Sequence, residues 1–98
     1  MNKHQKRYIA IQKVRIATHE EFMKKGKRIG APGPFRVSYR TPGEDCGWSV
    51  KVWVFDENNK RRAIFETPEM NAKPFSRKSK KAIRKVVRAA VKLDKKRV

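Results

Sequence analysis

Between Ser76 and Arg88 the chain reads Ser-Arg-Lys-Ser-Lys-Lys-Ala-Ile-Arg-Lys-Val-Val-Arg. Arg77, Lys78, Lys80, Lys81, Arg84, Lys85 and Arg88 all fall in this stretch, and the chemistry open to such a set is the gripping of anions. Ser76 or Ser79 can cap a helix here, and Ile83, Val86, Val87 and Ala90 give it an apolar stripe at helical spacing, ending near Leu93. Cations in a first helical turn oppose the helix dipole, at about 0.3–1 kcal/mol each on an exposed site. Phosphate groups reverse that sign by meeting both the side chains and the terminal amides. The functional reading is a phosphate clamp; the bland one is a solvated basic face. A second candidate surface is built from Arg36 and Arg40 beside Lys51, Trp53 and Phe55, where rings among cations could stack on bases or sugars.

Other residue types do not assemble a reaction centre. His4 and His19 lack metal-ligand spacing, and one cysteine, Cys46, allows neither an internal disulfide nor a Cys-rich zinc site. Cys46 has no activating histidine near it in sequence. Glu20 and Glu21 form a carboxylate pair, yet a capping role accounts for Glu21. The glycines at 30, 33, 43 and 47 do not have phosphate-loop spacing. The expectation is a non-enzymatic protein without metal or cofactor.

Charge placement points the same way. The 98 residues suit one domain and carry 27 Lys+Arg against 9 Asp+Glu, a formal charge of +18 that favours polyanionic partners. Residues 1–28 hold +7, residues 29–72 balance to zero, and residues 73–98 hold +11. A neutral middle between basic ends reads as a folded sheet flanked by polyanion-binding elements. Tyr8 to Ala17 is interrupted by Gln12, Lys13 and Arg15, so neither a signal peptide nor a membrane span is expected, and the cytoplasm is the expected compartment.

The elements that would position these groups follow from period and punctuation. Residues 1–17 read as a basic N-terminal extension, in which Tyr8–Ala17 leans to extended structure and also fits a helix. Thr18-His-Glu-Glu21 is a capping-box pattern, and Lys24, Lys25 and Gly26 suit a helix end, which predicts a short helix over about 19–25. After a Gly30–Pro34 loop, Phe35, Val37 and Tyr39 alternate on one strand; Trp48, Val50, Val52 and Val54 alternate on the next. Thr41–Gly47 is the turn between them. Asp56–Asn59 is a reversal, Arg61–Glu66 a third strand, and residues 67–75 a connector. The expected fold is α+β: residues 18–98 as one α-β-β-β-α domain, with a three-stranded antiparallel sheet, a short N-terminal helix and a long basic C-terminal helix packed on one face. The other face, with Trp53 and Phe55, is covered by segment 8–17 or left open to form a homodimer.

This order of elements resembles the double-stranded RNA-binding domain over residues 18–93. Glu21-Phe-Met-Lys-Lys-Gly26 looks like the end of that family's first helix, and Pro34-Phe35 like the opening of its first strand. Pro42-Gly-Glu-Asp45 looks like its first inter-strand loop, Trp48–Val54 like its central strand, and Ser79-Lys-Lys-Ala-Ile-Arg84 like the start of its second helix. The resemblance implies that Lys80, Lys81 and Arg84 straddle a major groove, with Glu21 and its neighbours Lys24 and Lys25 near one minor groove and the Pro42–Asp45 loop near the next. The loop departs from the family in lacking its histidine and carrying Glu44 and Asp45, and the connector is longer. Three strands followed by a helix are also similar to the DNA-binding domains of plant ethylene-response factors and phage integrase arm-binding domains. That likeness implies sheet-face contacts from Arg36, Arg40, Lys51 and Trp53. The expected function is binding of duplex RNA, or DNA, by shape and phosphate contact; the alternative is a small regulator that docks on an acidic protein.

Overall fold

The structure is a computed structural model that describes residues 2–27, 29, 30, 33–40 and 47–95; the side chains at positions 3, 4 and 7 lie outside that description. Helix α1 spans Lys3–Lys24, strands β1, β2 and β3 span Phe35–Arg40, Ser49–Phe55 and Arg61–Glu66, and helix α2 spans Arg77–Lys95. The fold class is the α+β arrangement expected. The expected Pro42–Asp45 loop and Cys46 fall outside the described residues.

The N-terminal reading needs correction. α1 is one helix of 22 residues, neither an extended segment followed by a short helix nor capped at Thr18. Its capping box stands at Asn2, whose side chain accepts from the Gln5 amide at 2.8 Å while Gln5 Oε1 accepts from the Asn2 amide at 3.0 Å. Thr18 is fully buried mid-helix, and its hydroxyl donates back to the Val14 carbonyl at 2.8 Å. The physical reason is the helical period of the buried set Val14, Ala17, Thr18, Glu21 and Phe22, which runs straight through the boundary expected between 17 and 18. Ile9 and Ile16 lie on the solvent side of this helix. The C-terminal stop is as expected. Gly26 takes φ +68°, and the amides of Gly26 and Lys27 close on the Met23 and Phe22 carbonyls at 2.9 and 3.0 Å.

The sheet follows its alternation. β1–β2–β3 is an antiparallel meander in which Phe35 faces Val54, Val37 faces Val52, and Tyr39 faces Val50. Val52 then faces Phe65 on β3. Asp56 closes the β2–β3 reversal by accepting from the Asn58 and Lys60 amides at 2.9 and 2.8 Å, and Asn59 takes the positive φ of 62°. Beyond β3 the connector remains tied to β2: the Thr67 amide donates to the Val50 carbonyl, the Thr67 hydroxyl accepts from the Val50 amide, and Trp48 pairs with Met70. The Trp48 indole donates to the Ala72 carbonyl at 2.9 Å, so its buried ring leaves no polar atom stranded.

Both helices pack on the same side of the sheet, α1 against β1 and α2 against β2 and β3, with the helices also touching each other. Val14, Phe22, Phe35, Val50, Val52, Val54, Ile83 and Val87 form the centre of one core, each 1% exposed or less. Burial of each such side chain contributes about 1.5–3 kcal/mol, which offsets the repulsion among the surface cations. Phe22 and Phe35 meet at 5.1 Å where α1 joins β1. The opposite sheet face, with Arg36, Trp53 and Ile64 across three strands, is not overlaid by either helix. Segment 8–17 therefore does not cover it.

Candidate nucleic-acid interface

α2 owes its orientation to a strict division of faces. Ser79, Ile83, Val86, Val87, Ala90 and Val91 are buried, which turns the cations between them outward. Ser76 is the cap: its hydroxyl oxygen accepts the Ser79 amide at 3.2 Å, and its carbonyl accepts the Lys80 amide at 2.9 Å. Ser79, the other candidate cap, is buried within the first turn and donates to the Lys73 carbonyl at 2.6 Å. This pins the connector beneath the helix start. The first turn holds no acidic residue.

Six of the expected contacts come together. Arg77, Lys80, Lys81, Arg84, Lys85 and Arg88, with Phe75, line one open concavity of about 800 Å³ along α2. Among the described residues no acidic side chain lines it, so fixed cations dominate the local field. Phe75, 41% exposed, was not among the sequence candidates. Its signal was a lone aromatic between Pro74 and Ser76, immediately before the basic helix. Lys78 is exposed on the flank of α2 nearer β3.

Glu21 is turned inward, between the helices. The residue is 5% exposed, and its carboxylate lies 3.5 Å from Arg84 Nε and 3.4 Å from Lys24 Nζ. It ties α1 to α2 and takes up part of the charge of Arg84. Lys24 and Lys25 remain exposed at the end of α1, with the Lys25 amide donating to the Phe22 carbonyl. On β1, beside Arg15 and Thr18 of α1, Tyr39 is partly buried, and burial raises the pKa of its hydroxyl above the ordinary 10.0. The Arg15 charge and a side-chain hydrogen bond with Thr18 pull the other way.

The four sheet-face candidates are gathered on the opposite surface. Arg36 stacks 5.0 Å from the Phe55 ring centre, donates to the Gly33 carbonyl at 2.7 Å and reaches Asn59 at 3.4 Å. Lys51 lies 6.0 Å from the Trp53 ring and 3.3 Å from Glu66. Arg40 is exposed at the end of β1. Here Arg36 and Lys51 already have partners in the protein. The two candidate surfaces lie on opposite sides of the sheet, so one rigid duplex cannot use both at once.

Among the described residues no cluster of His, Cys, Asp and Glu could hold a metal ion, and no helix is long and apolar enough to cross a membrane. The architecture defines an α-β-β-β-α domain with a cationic ridge on its last helix. No family model matches the chain, and neither does any curated protein or solved structure.

Proposed function

We propose that this protein is a non-enzymatic binder of duplex nucleic acid, RNA or DNA, that grips phosphates with the outer ridge of α2. The observation that carries the reading is the concavity in which Phe75 stands among six Lys and Arg side chains, with no acid among the described residues that line it. Cations held in a row on a rigid helix match the repeat of a polyanion better than they match any single small ligand. Arg77 and Lys80 lie at the helix start, where terminal amides add to the attraction for phosphate. Phe75 offers a ring to a sugar or an unstacked base at the end of the row. The α-β-β-β-α order supports a likeness to the double-stranded RNA-binding domain, in which readout is by groove shape and 2′-hydroxyls.

In this reading the sheet face is idle. Arg36 and Lys51 are engaged with Phe55, Asn59 and Glu66, so recruiting them to DNA would first break contacts within the protein. Titration of labelled duplex RNA and DNA with purified protein tests the proposal. Lys80→Ala with Lys81→Ala should weaken both duplexes to a similar degree, and Trp53→Ala should leave them alone. The reverse pattern would transfer the function to the sheet.

A further inference from the structure

On the flank of α2 away from α1, a second hollow of about 430 Å³ opens between α2 and β3. Its floor is apolar, formed by Phe65, Met70 and Val86, and Lys78, Lys81 and Lys85 stand along its rim. Among the described residues the one acid at its edge, Glu66, is ion-paired to Lys51 at 3.3 Å, which leaves the rim field positive. This combination differs from the neighbouring concavity, where cations and a single ring make up the whole lining. An apolar floor is a poor seat for a phosphate backbone, and a lysine rim is a poor seat for a neutral or basic chain. The volume suits one or two bulky side chains entering as anchors, with acidic neighbours meeting the rim.

We infer that the hollow between α2 and β3 receives an acidic amphipathic segment of a partner protein, and that this segment and the duplex exclude each other. The exclusion rests on the nucleic-acid reading proposed above, because Lys81 and Lys85 line both surfaces. A lysine held by a partner carboxylate is no longer available to a phosphate, and the partner's acids repel the backbone. Docking of the segment thereby releases the duplex, and the duplex in turn lowers the affinity for the segment by the same factor.

The test uses the full chain and a synthetic helical peptide with leucines on one face and Asp and Glu on the other. A second peptide of the same composition, with its leucines scattered, serves as the comparison. The expected result is that the amphipathic peptide binds at least about tenfold tighter than the scattered one. Ala89→Gln, which brings an amide into the lining without changing charge, should weaken the peptide by about tenfold. Ala89 does not line the ridge concavity, so the same variant keeps the wild-type duplex affinity. Lys78→Gln, read on the peptide alone, should weaken it by a smaller factor. Equal binding of the two peptides would reduce the effect to net charge and overturn the inference. So would an Ala89→Gln protein that melts like wild type and binds the peptide unchanged, or a self-association that Ala89→Gln abolishes, which would make a second copy the occupant. If saturating duplex fails to displace bound peptide, the exclusion falls and the hollow stands. If no duplex binds at all, the nucleic-acid reading and the exclusion fall together, while the peptide arms still decide the hollow.

Discussion

Salt dependence gives the sharpest test of the ridge, because the structure sets its magnitude. Six cations line the concavity, and Arg84 has its Nε 3.5 Å from the buried Glu21 carboxylate, which leaves five without an ion pair among the described residues. Each phosphate neutralised on B-form DNA contributes about −0.9 to the slope of log affinity against log salt, so the expected slope is about −4.5. Between about 50 and about 200 mM salt, affinity should then fall by nearly three orders of magnitude. Lys80→Ala with Lys81→Ala removes two contributors and should bring the slope to about −2.7, whereas Arg84→Ala should change it by well under one unit. Fluorescence anisotropy of a labelled duplex, repeated across a salt series, reads all three slopes. A wild-type slope shallower than about −2, or a double variant as steep as wild type, would refute the assignment of phosphate contacts to this ridge.

Three further outcomes concern the scaffold. Glu21→Gln should lower stability by about 1 kcal/mol, a figure held down by the solvent exposure of Arg84 and Lys24; a double-mutant cycle with Arg84→Ala should return coupling of similar size, and additive effects would remove the link between the helices. Because the folded state raises the Tyr39 pKa, its stabilising contribution is complete below the ordinary 10.0 and is lost as pH rises through the higher folded value; Tyr39→Phe should flatten the alkaline limb of a stability–pH curve and delete the later step in tyrosinate absorbance. Gly26→Ala should cost about 1 kcal/mol through its φ of +68° alone, since no atom lies within 4 Å of an added Cβ, and Gly26→Asn should cost less in the same thermal melts.

The parts of the fold written in one uninterrupted period were readable from sequence. The alternation of Phe35, Val37 and Tyr39, that of Trp48 to Val54, and the stripe of Ile83, Val86, Val87 and Ala90 all face the core as expected. The short-helix expectation follows from Thr18-His-Glu-Glu21, a local capping pattern; Asn2-Lys-His-Gln5 offers a similar one, and local chemistry does not choose between them. Once the helix was cut at Thr18, the set Val14, Ala17, Thr18, Glu21 and Phe22 no longer read as one face. Of the site, the cations on α2 were legible because exposed lysines and arginines follow directly from which residues are apolar. The burial of Glu21 was not, since it depends on how closely α1 approaches Arg84. Nor was the hollow beside β3, whose lining comes from segments that only the packed fold brings together.

Arg84 belongs to the lining of a surface concavity and to the clasp on an interior carboxylate. A substitution there therefore falls mainly on the seam between the helices, and only in small part on the phosphate ridge proposed above. Were a phosphate to draw the guanidinium outward, that clasp would loosen, and melting temperature would then report on the same side chain as occupancy.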